Sequence, residues 1–316
     1  MSPSPASAVS SSFVAAAHSD AGASVPDHIV RRPRGLTTCR SLVASLLAAV
    51  VVVLLIAPAA SLATTGHAFA DRFGGAGNPG GIAVMPSTGD VFTADGNPAS
   101  VRQLDAGGAV QGSFPIAAGY TDPVAVAVDA GGGGSVYLLA FGGDAGTAPR
   151  VLKYSTSGTF IYFLDDSGSG TSISYLNGAP GNSALAVDPA DGTVYAVATD
   201  NVTGTQVIDR FDRTTGAFIA SFDGSNGSPD GTGLQCPNGL AVDASHRVYV
   251  LDRCKGRVDR YDVTGAFQAT VDDGVARGVP SAVAVDPASG EVYVSEAGPV
   301  GVQITQFTAG DRKSVV

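Results

Sequence analysis

One short unit recurs five times between residues 81 and 307, and this periodicity constrains the fold more than any other feature of the chain. Its opening motif reads Gly81-Ile82-Ala83-Val84, then Val124-Ala125-Val126-Ala127-Val128-Asp129, then Ala184-Leu185-Ala186-Val187-Asp188. Gly239-Leu240-Ala241-Val242-Asp243 and Ala282-Val283-Ala284-Val285-Asp286 complete the series. The closing valines stand at 84, 128, 187, 242 and 285, so the steps are 44, 59, 55 and 43 residues. A second apolar run follows each motif, at Val91, Val136, Val194, Val248 and Val292, and third runs start at Val101, Val151, Val207, Val258 and Val302. The fourth copy, 236–271, shows four runs: 240–242, 248–251, 258–261 and 266–271. Polar or Gly-bearing segments of the kind that reverse a chain lie between them. No run is long enough for a helix, and β-branched and aromatic residues recur in all of them. The pattern is that of a four-stranded antiparallel meander, and a row of meanders makes an all-β propeller with each unit one blade.

Burial follows from that stacking. Inner strands pressed between neighbouring blades need apolar residues on both faces, as the unbroken Ala-Val runs provide. Outer strands such as 257–262 alternate and are expected to be partly wet. The Asp-Pro-x-x-Gly spellings at 188–192 and 286–290 are turns in which Asp caps, Pro fixes φ and Gly takes the left-handed position.

These elements resemble the NHL repeat family of β-propellers. The resemblance rests on P-x-G-(I/L)-A-V-D at 237–243, on the V-Y-V-containing run at 247–252 and on R-V-x-x-Y-D at 257–262, and it covers roughly 66–310. Repeat one departs from it with Met85 in place of the closing Asp, and repeats two and three carry longer loops. The Asn-His that the family places before the third strand is absent, and Cys254-Lys255-Gly256 stands in the fourth copy. Five repeats are visible, so the resemblance implies five or six blades. A spare strand at 67–73 would close the ring by completing the last blade. It also implies an interaction role rather than an enzymatic one.

The domain plan has three parts. Residues 1–30 are rich in Ser, Ala and Pro without periodicity and are expected to be disordered. In 31–63, Arg31, Arg32, Arg34 and Arg40 precede an apolar run over 42–57 and small residues at its exit, which is the layout of a secretory signal. Cleavage after Ala63 and retention as a signal-anchor helix both fit, and both place 64–316, the propeller, at the envelope or outside the cell. A start at Val30 in place of Met1 would leave an ordinary signal. The formal charge of −10 argues against a nucleic-acid partner, which needs clustered Lys and Arg. The 42 glycines fit many tight turns and not a helical protein.

Candidate chemistry is sparse. Cys236 precedes the first strand of the fourth blade and Cys254 lies between its second and third strands. In a meander both positions share one face, so an exported chain would join them in a disulfide. That same face carries the expected binding loops, with Asp95, Asn97, Asp144, Asp200, Asn201, Asp252, Arg253, Lys255 and Glu296 as candidate contacts for a protein, peptide or glycan. No cofactor is expected. The propeller region has two histidines, His67 and His246, read as surface residues, so Ser-His-Asp and three-histidine zinc sites cannot be built. The alternative is a metal-dependent hydrolase or lyase of the lactonase or strictosidine-synthase-like kind. Its ligands would come from Asp129, Asp188, Asp243 and Asp286, which also serve as turn caps.

Overall fold

The computed structural model describes residues 79–143, 148–173, 184–272, 279–298 and 301–308. These residues form five antiparallel sheets in chain order. Blade one is β1 (Pro79–Val84), β2 (Val91–Gly96), β3 (Ala99–Leu104) and β4 (Val110–Pro115). Blade two is β5 (Tyr120–Asp129), β6 (Ser135–Gly142), β7 (Arg150–Ser155) and β8 (Phe160–Phe163). Blade three begins with an addition, β9 (Thr171–Ser172). It continues with β10 (Leu185–Val187), β11 (Val194–Asp200), β12 (Gln206–Phe211) and β13 (Phe218–Phe222). Blade four is β14 (Pro237–Val242), β15 (Val248–Asp252), β16 (Arg257–Tyr261) and β17 (Phe267–Asp272), and blade five is β18 (Val279–Val285), β19 (Val292–Gly298) and β20 (Gly301–Phe307). The protein is therefore an all-β propeller of five blades, with three strands described in the fifth. The strand that would close it, 67–73, lies outside the described residues, as do the apolar run 42–57 and Asp144. Among the described residues no helix is long and apolar enough to cross a membrane.

The turns form as their spelling requires. In the Asp188 turn, Ala190 N–H bonds the carboxylate Oδ1 at 2.8 Å and Gly192 N–H bonds the Asp188 carbonyl at 2.8 Å, with Gly192 at φ +78°. Close stacking of the blades also demands glycine at one place on the inner rim. A Cβ added to Gly80 would stand 2.8 Å from the Pro123 carbonyl oxygen, and one on Gly81 3.0 Å from Ala125 Cα, so β1 and β5 approach too closely for a side chain at Gly80.

The core lies between blades. Phe92 and Ala94 of blade one meet Val136, Leu138 and Tyr154 of blade two, and Tyr137 and Leu139 meet Val194 and Phe211 at the next junction. Ile208 with Val250, and Tyr249 with Val294, carry the pattern through blades four and five. Each fully buried side chain of this size contributes about 1.5–3 kcal/mol. The two flanks of the series differ: Ile82 is 66% exposed on blade one and Ile304 is 74% exposed on blade five. Strand 257–262 is drier than alternation suggested. Val258, Asp259 and Tyr261 are buried, and it is fourth strands such as β4 that meet water. The third strand has sheet neighbours on both edges and a blade over each face, Val258 packing with Val294 of blade five and Tyr261 with Ile208 of blade three, whereas the fourth is the sheet's edge.

Candidate functional site

The loop face of blade four is braced from several segments at once. Cys236 and Cys254 form a disulfide with Cα atoms 5.2 Å apart. Asp252, at the end of β15, is buried and accepts four backbone N–H groups: Gln235 at 2.7 Å and Cys236, Cys254 and Lys255 at 3.1 Å each. A single carboxylate thus holds both segments that the disulfide joins. A third segment is drawn in by Asp230, which lies 3.2 Å from Lys255 Nζ and 2.9 Å from Arg257 Nη2. The Ser228 hydroxyl, helped by Thr232 and Lys255, keeps the Asp230 carboxyl well below the usual range. The Asp- and Gly-rich segment 223–231 is thus tied to the blade through Asp230, while Ser225, Asn226, Gly227 and Pro229 stay exposed.

This arrangement sorts the candidate contact residues. Asp95 is buried, paired with Arg102 at 2.8 Å and bonded by the Thr93 hydroxyl at 2.9 Å. Glu296 is buried and accepts Thr305 Oγ1 at 2.6 Å and Gln303 Nε2 at 3.2 Å. Asp200 caps its own turn through Val202 N–H at 2.9 Å and Thr203 N–H at 2.7 Å, bonds that hold its carboxyl below the usual range. Lys255 is turned back onto Asp230, its side chain 4% exposed. Four of these residues thus build the loops or the sheet, together with Asp252. Asn97, Asn201 and Arg253 are exposed at the loop tips and are free to reach outward.

On the opposite face the aspartates that close first strands act as caps. Asp129 accepts Gly131 N–H at 2.7 Å, Asp243 accepts Ser245 N–H at 2.9 Å and Asp286 accepts Ala288 N–H at 2.8 Å. Basic side chains face their remaining oxygens in blades two to four: Arg213 on Asp129 at 3.5 Å, His246 on Asp188 at 2.7 Å and Arg247 on Asp243 at 2.6 Å. Each of the four acids expected as possible metal ligands thus caps a turn, and Asp129, Asp188 and Asp243 also face a basic side chain. Among the described residues one trio, Asp188, Asp191 and His246, brings possible ligand atoms within 4.8 Å of one another. Its imidazole already bonds Asp188, which raises the His246 pKa.

Sequence reasoning took His246 for an ordinary surface residue. It bridges blades three and four, in a left-handed conformation with φ +61°. The available signal was its position in a turn otherwise suited to Gly or Asn, but the partner lies 58 residues away in sequence.

Comparison with known proteins agrees with this architecture. The family model described as "NHL repeat" matches residues 234–261, which span β14, β15 and β16. No curated protein matches the chain. Among solved structures, 492 chains match, so the fold is widely used and by itself selects no activity. One of them, described as "Crystal structure of Nidogen/Laminin Complex", is 18% identical over 74% of this chain and 76% of that chain, with a TM-score of 0.52. At that identity the likeness concerns the fold.

Proposed function

We infer, taking a β-propeller with an NHL repeat as the premise, that this chain is a non-catalytic interaction scaffold whose partner is a protein or peptide. The observation that carries the reading is the construction of blade four's loop face. A disulfide, a buried carboxylate with four backbone donors and the Asp230 pairs all fix the loops from within, and Arg253 is left exposed at the tip. Loops fixed before binding lose less conformational freedom when a partner docks. The nidogen–laminin structure is a protein–protein complex that contains a similar fold, which supports the same class of partner.

The scaffold works at the cell envelope or outside the cell in this proposal. It is delivered by 31–63 as a cleaved signal or a retained anchor, and residues 67–73 complete blade five against β20. The disulfide supports an oxidising compartment. Terminal sequencing of the chain isolated from its host tests delivery: a start at Thr64 supports cleavage, and peptides from 1–30 attached to the propeller rule it out. The binding face is tested with a photo-crosslinking residue placed at position 253, at 201, or at 289 on the opposite face. One discrete adduct from 253 and 201, absent from 289, is expected. Equal labelling from all three positions refutes the assignment.

A further inference from the structure

On the face that carries the turns between first and second strands, successive blade junctions are filled differently. Between blades two and three the filler is Arg213, 3.5 Å from Asp129 and packed so tightly that a Cβ on Gly131 would lie 2.3 Å from its Nη1. The hydroxyls of Tyr137 and Tyr162 donate to the Arg213 carbonyl at 3.3 and 2.7 Å, and Lys153 Nζ donates to it as well. Between blades three and four the filler is His246, seated on Asp188.

Between blades one and two each of these parts has been replaced. Strand register sets Phe92 opposite Gln103 where blades two to four set Tyr137 opposite Lys153, Tyr195 opposite Arg210 and Tyr249 opposite Arg260, and blade five sets Tyr293 opposite Gln306. Met85 stands where the later repeats close with Asp. Thr156 follows the first residue of the β7–β8 turn, as Arg213 follows the first residue of the β12–β13 turn. The β5–β6 turn offers Ala130 and four glycines where blade four offers His246. The junction has lost its acid, its hydroxyl and its cations together, and a cleft of about 560 Å³ opens there.

The lining specifies a ligand class. Met85 and Phe92 are buried and give it an apolar part. Ser87, Thr88, Thr156 and Ser157 supply hydroxyls, and Asp90 is its one ionisable side chain. Gln103 Nε2 donates to Asp90 Oδ2 at 2.9 Å, which leaves the carboxylate able to accept from a ligand hydroxyl while the amide oxygen accepts another. An anion would meet a carboxylate and no cation. Thr88 Oγ1 accepts the Asp90 N–H at 3.2 Å and Ser157 Oγ bonds Ser155 Oγ at 2.8 Å, but an apolar ligand would strip water from the Ser87 and Thr156 hydroxyls without replacing their bonds. A ring with C–H faces and many uncharged hydroxyls satisfies both halves of the surface, and the volume is that of an ordinary small-ligand site. We propose that the cleft between blades one and two binds a neutral saccharide unit. The site lies on the face opposite the proposed protein-binding loops and does not rest on that reading.

The test is saturation-transfer NMR on the 316-residue chain in a phosphocholine detergent, which adds no competing sugar head group. The probes are lactose, maltose, cellobiose and N,N′-diacetylchitobiose, with N-acetylneuraminic acid as the anionic comparison. At least one neutral disaccharide is expected to show transfer that saturates in the millimolar range, with the acid weaker. Ser157→Trp, which fills the cleft from an exposed position, should reduce the signal at least tenfold. Met85→Asp combined with Thr156→Arg should do the same by rebuilding the charge pair found between blades two and three, and it should keep the β-sheet circular dichroism. No transfer to any neutral sugar overturns the proposal. So does transfer that survives both variants, or a preference for the acid.

Discussion

Asp209 offers the sharpest test of how this core is charged. It sits in the middle of β12 with no exposed surface, opposite Ala196 on one side and Ser221 on the other. In blade four the equivalent residue, Asp259, has Arg257 Nε at 2.6 Å, whereas register puts Val207 in the place of that arginine in blade three. Asp209 receives the Thr171 hydroxyl at 2.6 Å on Oδ2, and Oδ1 is buried with no hydrogen-bond partner. Burial outweighs the Thr171 bond and pushes its carboxyl up from 3.8 to about 6. Between those two values the folded chain holds a proton that the unfolded chain has released, so stability falls as pH rises through the window and is level above it. At about 1.4 kcal/mol per pH unit, the gap amounts to about 3 kcal/mol.

Asp209→Asn removes this titration. The amide introduced has its own pH-independent cost, because one end faces a site without a partner. The informative quantity is therefore the change with pH in the stability difference between the two proteins, in which all other titrations cancel. Urea unfolding followed by far-UV circular dichroism and tyrosine fluorescence suits a chain with nine tyrosines and no tryptophan. Of that gap, the variant should gain about 2.4 kcal/mol relative to the parent between pH 4 and pH 7, the rest falling below pH 4. A difference that stays flat to within about 0.5 kcal/mol would show that Asp209 is solvated or paired in the folded chain, and the burial argument would fail.

Three further outcomes follow from the same geometry. Replacing Cys236 and Cys254 together by alanine opens a loop of 18 residues. Chain entropy puts the loss at about 3 kcal/mol, read as a lower urea midpoint with little change in slope. Asp252→Ala strands four backbone donors in a buried site and should cost about 3 kcal/mol or more; a loss under about 1 kcal/mol would mean that water replaces the carboxylate. His246 should titrate by NMR above its ordinary value of 6.5, through its bond to Asp188, and Asp188→Asn should bring the midpoint back down. Since the folded value is the raised one, the stabilisation from this pair is fully present below pH 6.5. It is lost as pH rises through the folded midpoint, and an imidazole that titrates at or below the ordinary value contradicts the contact. The side chain is 43% exposed, so screening keeps the effect small.

Much of this was legible along the chain because strands and turns are local. Short unbroken runs of Ala, Val and Tyr, Asp-Pro-x-x-Gly spellings and Cys placements relative to strand ends are set by neighbours within a dozen residues. They were enough to give blades, turns and the disulfide pairing. What the sequence could not show was how side chains from different segments share the same space. Asp95, Asp252 and Glu296 read as loop-face acids available to a partner, yet the fold turns them inward, where their oxygens hold backbone and neighbouring strands. His246 meets Asp188 only because two turns from adjacent blades are stacked, and Asp209 lacks a cation only because register sets Val207 where Arg257 stands in blade four. The cleft beside Met85 depends on five replacements spread over more than seventy residues. Each is ordinary in its own segment, and they coincide only once blade two is laid against blade one. The repeat determined the blades; their stacking, at separations the local pattern does not encode, decided which charges are paired and where a junction stays open.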